Sequence, residues 1–238
     1  MDITVYEKDC KRISELTGGK IAEIRILGGE PLLHPNVAAF LEITRKYFPF
    51  MDASKGTGVI ELVTNGILLP KQKEQFWKTC KDNNIRIFIS EYPISIDKEY
   101  IKAQSEKYGV QIKMHEGVKK QTGSSFQQWI KTPIDLEGKQ NNKNSFGKCF
   151  LGGTCFQLVD GKIYKCARIA YIKLFNEKFN KNLIVSEGDY IDIYKAHNID
   201  EILEALTEPA PFCRYCKVEE MTWTNEWRIT TKEISEWV

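Results

Sequence analysis

Short apolar runs with a period of two alternate along the chain with longer segments whose apolar residues recur every three or four positions. The alternating runs, rich in β-branched residues, predict four strands at Ile21–Leu27, Val59–Thr64, Ile85–Ser90 and Val110–Met114. The longer segments predict helices over Tyr6–Leu16, Val37–Phe48, Lys71–Asn83 and Lys98–Tyr108. Strands separated by helices run parallel and are joined by right-handed crossovers. The pattern therefore predicts an α/β fold built on a parallel sheet or barrel.

The pattern changes after Gly117. The segment Gly138–Lys148 is polar and rich in turn residues, which predicts a loop. Asp160-Gly161 lies between two alternating runs and predicts a β-hairpin. Asn198, followed three residues later by Glu201, resembles a capping box and predicts the start of a helix.

Composition narrows the class of protein. The 238 residues carry a net charge of +2 with acidic and basic residues mixed, which argues against a nucleic-acid-binding surface. No apolar run approaches the ~20 residues that a membrane span requires. The first residues do not resemble a signal peptide, so we expect a cytoplasmic protein. In a reducing compartment, clustered cysteines indicate a metal site more often than disulfides.

Five of the seven cysteines lie in the last ninety residues. These five candidate ligands are Cys149, Cys155, Cys166, Cys213 and Cys216. The two-residue spacer of the last pair lets both thiolates reach one metal centre, and four thiolates suit either zinc or an iron–sulfur cluster. A third interpretation is a set of unligated thiols. With four ligands needed, Cys149 or Cys155 is the expected spare. Cys10 and Cys80 fall on apolar helix stripes and are predicted to be core residues.

Two turns follow predicted strands at what would be the same edge of the sheet. Gly28-Gly29-Glu30-Pro31 closes the first strand, and Thr64-Asn65-Gly66 closes the second. Glycines at the carboxyl end of a parallel strand let the backbone approach a ligand, and ligands bind at that end. The Glu30 carboxylate could accept hydrogen bonds from an ammonium group, although a plain tight turn is the alternative. His115 follows the fourth strand at the same end and is either substrate-facing or structural.

Taken together, these turns resemble the radical S-adenosylmethionine (SAM) superfamily. In that family, the backbone and the carboxylate of the Gly-Gly-Glu-Pro turn hold the methionyl amino group of SAM. A Thr-Asn-Gly ending is frequent on the next strand, and the strand after that often contributes a polar contact to the cofactor. The resemblance therefore implies that the cofactor-binding residues are Gly28, Gly29, Glu30, Thr64, Asn65 and Ser90.

The C-terminal cysteines extend the resemblance. The segment from Cys149 to Cys166, and later Pro211-Phe212-Cys213-x-x-Cys216, are similar to the SPASM or twitch-type extension of radical SAM proteins, which holds an auxiliary [4Fe–4S] cluster. The resemblance implies a partial (β/α)6 barrel over residues 1–117 that lacks the first βα unit, a connecting segment over 118–148 and a cluster-binding domain over 149–238.

One family motif is absent from the sequence. Radical SAM enzymes hold their catalytic cluster with C-x3-C-x2-C, and neither Cys10 nor Cys80 can rebuild it. We therefore expect a shortened chain, or else a natural pseudoenzyme, that is itself inactive. The intact form would be an oxidoreductase-type enzyme that cleaves SAM reductively, takes electrons from a donor and modifies a small-molecule, peptide or sugar substrate. The rival interpretation is a non-catalytic module stabilised by zinc.

Overall fold

The computed structural model of the protein describes residues 1–114, 118–119, 125–126, 129–224 and 228–238. His115 and the predicted domain boundary at Gly117 lie outside these ranges. The chain divides into two compact units, Met1–Gln128 and Trp129–Val238. Across the described ranges, no helix combines the length and the apolar character needed to cross a bilayer.

Unit 1 is built on a four-stranded parallel sheet in the order β1-β2-β3-β4. Its strands are β1 (Glu23–Ile26), β2 (Val59–Thr64), β3 (Arg86–Ile89) and β4 (Ile112–Met114). Its helices are α1 (Ile3–Thr17), α2 (Val37–Tyr47), α3 (Glu74–Asp82) and α4 (Lys98–Tyr108). A separate antiparallel pair joins β5 (Val118–Lys119) to β6 (Ser125–Phe126). The predicted α/β fold class with parallel strands is confirmed.

The alternation of the strands places their most apolar residues in the core of unit 1. Ile60, Leu62 and Ile87 have no exposed surface. Cys10 and Cys80 are 4% and 0% exposed, so their predicted role as small core residues is confirmed. Helix α3 starts at Glu74, later than predicted, because residues 69–71 form a separate 3-10 turn that contains a proline.

A buried charge interrupts the apolar pattern of β2. Glu61 is fully buried, and its carboxylate accepts hydrogen bonds from Arg25 Nε at 3.1 Å and Arg86 Nε at 2.7 Å. Arg25 and Arg86 are its register partners on the two neighbouring strands. The two guanidinium groups compensate the cost of removing the carboxylate from water.

Unit 2 is built from shorter elements. They are β7 (Trp129–Lys131), α5 (Asn142–Lys148), β8 (Gln157–Val159), β9 (Lys162–Tyr164), α6 (Ala167–Phe179), β10 (Tyr190–Asp192), α7 (Ile199–Thr207) and β11 (Thr222–Thr224). Strands β10-β9-β8 form an antiparallel sheet, and β11 pairs antiparallel with β7. The core of the unit consists of Ile134, Ile169, Ile172, Phe175, Leu183, Ala210, Phe212 and Tyr215. Cys166 and Cys213 pack against this core.

Two local predictions in unit 2 are confirmed. The β8–β9 hairpin turns at Asp160 and Gly161, both with positive φ, as a two-residue type I′ turn requires. Helix α7 begins after Asn198, whose side chain accepts a hydrogen bond from the Glu201 N–H at 3.0 Å. The capping box is only half formed, because the Glu201 carboxylate accepts from the His197 N–H instead of that of Asn198.

Two helices of unit 2 were not predicted. The segment predicted as a loop contains α5, which is capped by the Asn141 side chain and anchored by the buried Ser145. Helix α6 carries apolar residues on both its buried and its exposed sides: Ile172 and Phe175 are buried, but Leu174 between them is 64% exposed. The periodicity that identifies amphipathic helices is therefore missing in α6.

Candidate functional sites

The first candidate site lies at the carboxyl ends of β1, β2 and β3. The Glu30 carboxylate accepts hydrogen bonds from Thr64 Oγ1 at 2.7 Å, the Asn65 N–H at 2.9 Å and the Leu32 N–H at 3.1 Å. The Ser90 N–H in turn donates to the Thr64 carbonyl at 2.9 Å. Four of the six residues predicted to bind a cofactor are therefore joined in one network that links three adjacent strand ends.

Each turn is organised by its own sequence. Glu30 is extended and its side chain caps the 3-10 turn Pro31–Leu33. The Asn65 side chain accepts from the Ile67 N–H at 2.9 Å. Gly66 has φ +82°, and a Cβ there would lie 3.3 Å from the Ile89 side chain. The fold therefore requires glycine at position 66, independently of any ligand.

Gly28 and Gly29 differ from Gly66. Both are exposed, neither has a positive φ, and a Cβ added to either would meet nothing within 4 Å. The conformation and packing of the chain do not require glycine at these positions. They leave open space beside the backbone.

A cavity of about 270 Å³ adjoins this edge. It is lined by Asn65, Ile67, Glu91, Tyr92, Pro93, Ile94, Ser95, Ile96 and Lys98. Glu91 and Lys98 form an ion pair in its wall. Asn65 belongs both to the Glu30 network and to the cavity. No sequence motif indicated the segment after Ser90 that lines this cavity. Its position directly after β3, at the end of the sheet where ligands bind, is a signal that would have identified it.

The second candidate site is in unit 2, where four of the five predicted metal ligands are electrostatic neighbours. Burial raises the pKa of the Cys213 thiol to about 12, with further increases from Cys216, Cys166 and Cys149. Burial also raises the pKa of Cys216, and Cys149 adds to that effect. Burial and the neighbouring thiols therefore both disfavour ionisation of Cys213 and Cys216.

Groups at the start of α6 act in the opposite direction. Burial raises the pKa of Cys166 to about 11, while the backbone N–H groups of Ile169 and Arg168 oppose it. Cys166 is the N-cap residue of α6. The Arg168 guanidinium donates from Nη1 to Cys216 Sγ at 3.2 Å and lowers the pKa of that thiol. Positive charge therefore faces the sulfurs of Cys166 and Cys216.

The fifth cysteine, Cys155, makes a side-chain contact of its own. Cys155 Sγ accepts a hydrogen bond from Gln157 Nε2 at 3.7 Å. The main electrostatic effects on the pKa of Cys166, Cys213 and Cys216 come from groups other than Cys155. Within the described ranges, no three His, Cys, Asp or Glu side chains lie close enough together to hold a metal ion. The four thiols are neighbours without being in coordinating contact, and their role as ligands stays a prediction.

Polar residues that no motif indicated support the Cys213–Cys216 segment. Ser145 Oγ donates to the Cys216 carbonyl at 3.1 Å, and the Asp135 N–H donates to the Tyr215 carbonyl at 2.9 Å. Burial opposes ionisation of Asp135, but hydrogen bonds from the Gln140 side chain and nearby backbone N–H groups outweigh it and lower the pKa of this carboxyl. Asp135 thereby fixes the turn that pairs with this segment.

Close backbone packing shapes the loop after Cys149. The Gly152 N–H donates to the Cys149 carbonyl at 3.1 Å. A Cβ at Gly152 would lie 2.6 Å from the Phe146 carbonyl oxygen. A carbon atom cannot approach a backbone oxygen this closely unless the backbone moves. Only glycine therefore allows the chain to fold back tightly behind Cys149.

Comparison with known proteins finds one local and one global similarity. No protein-family model matches the chain. A stretch of 62 residues is 37% identical to a GTP 3′,8-cyclase of Chlorobaculum tepidum, which is 26% of this chain and 17% of the cyclase. The crystal structure of BtrN in complex with AdoMet and 2-DOIA aligns with 100% of this chain and 85% of its own, with a TM-score of 0.45 and 18% identity.

Proposed function

We propose that this chain is a radical SAM-type iron–sulfur protein, in which the edge of the parallel sheet binds SAM and the C-terminal thiols hold an auxiliary [4Fe–4S] cluster. The observation that carries the proposal is the hydrogen-bonded junction of Glu30 with Thr64 and Asn65. It joins the two turns that resemble the superfamily at the end of the sheet where ligands of parallel α/β folds bind.

The local identity to a GTP 3′,8-cyclase, a radical SAM enzyme, supports this kinship. The matched stretch spans 17% of the cyclase, so its nucleotide substrate does not transfer to this chain. We propose a small-molecule, peptide or sugar substrate, without choosing among these classes.

The residues at the sheet edge fit the methionyl end of SAM. Its amino group would meet the open backbone at Gly28 and Gly29, while Glu30 keeps that backbone in register with Asn65. Bound to a radical SAM enzyme, SAM supplies a carbon-centred radical after one-electron cleavage at a cluster held by C-x3-C-x2-C. Because this sequence lacks that triplet, we propose that the chain as given does not cleave SAM.

For the auxiliary cluster we propose Cys149, Cys166, Cys213 and Cys216 as ligands and Cys155 as the spare thiol. Mutual electrostatic effects connect the four, which supports their convergence on one centre. An auxiliary cluster would pass electrons to or from a donor, or bind substrate. All seven cysteines are free thiols, and we propose a reducing compartment such as the cytoplasm.

Anaerobic reconstitution with iron and sulfide tests the cluster. We expect a brown protein with about four irons per chain, as a [4Fe–4S] site requires. Cys213→Ser should abolish uptake of iron and Cys155→Ser should leave it unchanged. Stoichiometric zinc without cluster formation would instead support a zinc-stabilised, non-catalytic module. Equal loss of iron in both variants would contradict the ligand set.

A binding titration tests the sheet edge. Addition of SAM should shift the backbone amide signals of Gly28, Gly29, Asn65 and Ser90 in NMR spectra of the protein. Gly29→Ala should raise the dissociation constant obtained from these shifts about tenfold, because the methyl group fills the open space. This corresponds to a loss of about 1.4 kcal/mol of binding free energy. The matched control is Gly147→Ala in α5, where a Cβ also meets nothing within 4 Å. Equal SAM binding by both variants would refute the assignment.

A further inference from the structure

Arg168 places a positive charge against the thiol of Cys216 in unit 2. Its guanidinium donates from Nη1 to Cys216 Sγ at 3.2 Å and from Nη2 to the Thr132 carbonyl at 2.7 Å. The residue is half-buried. Among the residues that the structure describes, none places a carboxylate oxygen within 4.0 Å of this guanidinium. Within that part of the chain, the Arg168 guanidinium is held by the Cys216 sulfur and the Thr132 carbonyl and by no carboxylate.

The contact between the Arg168 guanidinium and Cys216 Sγ is stronger when the sulfur carries negative charge. A half-buried cation loses hydration, and a neutral thiol is only a weak hydrogen-bond acceptor. A thiolate would turn the same contact into a charge-assisted hydrogen bond, which is roughly twice as strong. The position of Arg168 thus suits an ionised Cys216, the form in which cysteine binds a metal.

Two other cations near the thiols are engaged differently. The Lys165 ammonium donates to the Glu208 carbonyl at 2.8 Å, and Asp189 acts as an opposing charge on it. Arg214 lies between Cys213 and Cys216 in sequence, but it donates to the Tyr215 hydroxyl at 2.8 Å and stacks on the Tyr215 ring. Of these three cations, Arg168 is the one that donates to a ligand sulfur.

We propose that Arg168 is a positioning residue that orients the Cys216 thiolate, balances part of the charge of the metal centre and raises its reduction potential. The proposal rests on the proposed iron–sulfur function. Hydrogen bonds to ligand sulfurs and nearby positive charge favour the reduced cluster, because reduction adds one negative charge. Thr132 fixes the guanidinium so that the N–H···S contact persists in both oxidation states.

The test is the midpoint potential of the reconstituted full chain, measured by spectroelectrochemistry. Arg168→Gln removes the charge and should shift the ratio of oxidised to reduced cluster about tenfold towards the oxidised form, or about 59 mV for one electron. Arg168→Lys keeps the charge but not the planar fork that spans Cys216 and Thr132, so its shift should be smaller. Arg214→Gln, which removes an equal charge between two ligands in sequence, should change the potential least.

The outcomes separate this proposal from the one on which it rests. Wild-type protein that forms no iron–sulfur cluster, whether or not it binds zinc, would refute the proposed function itself. Wild-type protein with a cluster whose potential is unchanged in Arg168→Gln, or shifted as much by Arg214→Gln, would refute only the role of Arg168. With a zinc site, Arg168→Gln should release zinc to a chelator about tenfold faster than wild type, and equal rates would overturn the proposal. Circular dichroism checks each variant for folding; should Arg168→Gln fail to fold, Arg168→Lys decides.

Discussion

The two candidate sites are prepared for their ligands in opposite ways. At the sheet edge of unit 1, polar groups are already satisfied by one another, with Glu30 accepting from Thr64 and Asn65. In unit 2, Cys166 and Cys213 pack against an apolar core, and burial raises the pKa of both thiols. The first site is therefore preorganised by hydrogen bonds, whereas the proposed metal site would gain its negative charge on binding a metal that displaces the thiol protons.

The same contrast applies to the glycines. At the sheet edge, Gly28 and Gly29 leave open space that the fold does not use, while at the thiol site Gly152 is required because the chain packs against itself. A vacant glycine indicates room for a ligand, and a crowded glycine indicates a tight loop.

Metal loading should stabilise unit 2 and leave unit 1 nearly unchanged. At a metal concentration about 1,000 times the dissociation constant, mass action adds about 4 kcal/mol to the stability of the state that binds. Hydrogen exchange of the Cys213 and Cys216 amides, which bond to Ala210 and Cys213 carbonyls, should slow accordingly. The Ile87 amide in unit 1 serves as the internal control. Equal protection of both units would contradict the contrast.

Removal of the Glu30 carboxylate should destabilise unit 1 without any ligand present. Glu30→Ala leaves the Thr64 hydroxyl and two backbone N–H groups without their acceptor, which should cost about 2 kcal/mol in a urea titration. Glu23→Ala on β1 is the control. Its ion pair with Arg25 is exposed and should contribute at most about 0.5 kcal/mol. Similar costs for the two variants would show that the Glu30 network is not preorganised.

A methyl group at position 152 should disturb the thiol site. Gly152→Ala forces the Phe146 carbonyl to move and should cost about 1–3 kcal/mol, measured from the thermal unfolding of unit 2. Gly147→Ala, five residues earlier in α5, meets no neighbour and should be neutral or gain up to about 1 kcal/mol. A destabilising Gly147→Ala with a neutral Gly152→Ala would reverse our interpretation of the two glycines.

Acidification should remove the smallest contribution. The pKa of Asp135 is lowered below its ordinary value of 3.8, so its stabilising effect is fully present above about pH 4. The effect is lost as the pH falls through the folded-state pKa, because the unfolded carboxyl takes up its proton first. The difference in unfolding free energy between metal-free wild type and Asp135→Asn should therefore shrink from pH 5 to pH 3. A difference that is constant with pH would exclude this linkage.

Much of unit 1 could be predicted from its sequence, and much less of unit 2. Strand β2 and helix α4 match their predicted bounds because their periodicity and their ends are local properties of the chain. Helix α6 could not be identified in this way, since its apolar residues surround it. The supporting roles of Ser145 and Asp135 were equally hidden. A buried serine or aspartate has no signature until the backbone group that it bonds is known.

Local patterns in the chain predicted the parallel α/β order, the position of both turns at strand ends and the set of five candidate thiols. Only the packed fold shows that Glu30 bonds to the turn of the next strand, that Gln157 contacts Cys155, and that Arg168 donates to Cys216. Hydrophobic periodicity acts between neighbours in the chain, whereas the meeting of distant side chains depends on how whole elements pack.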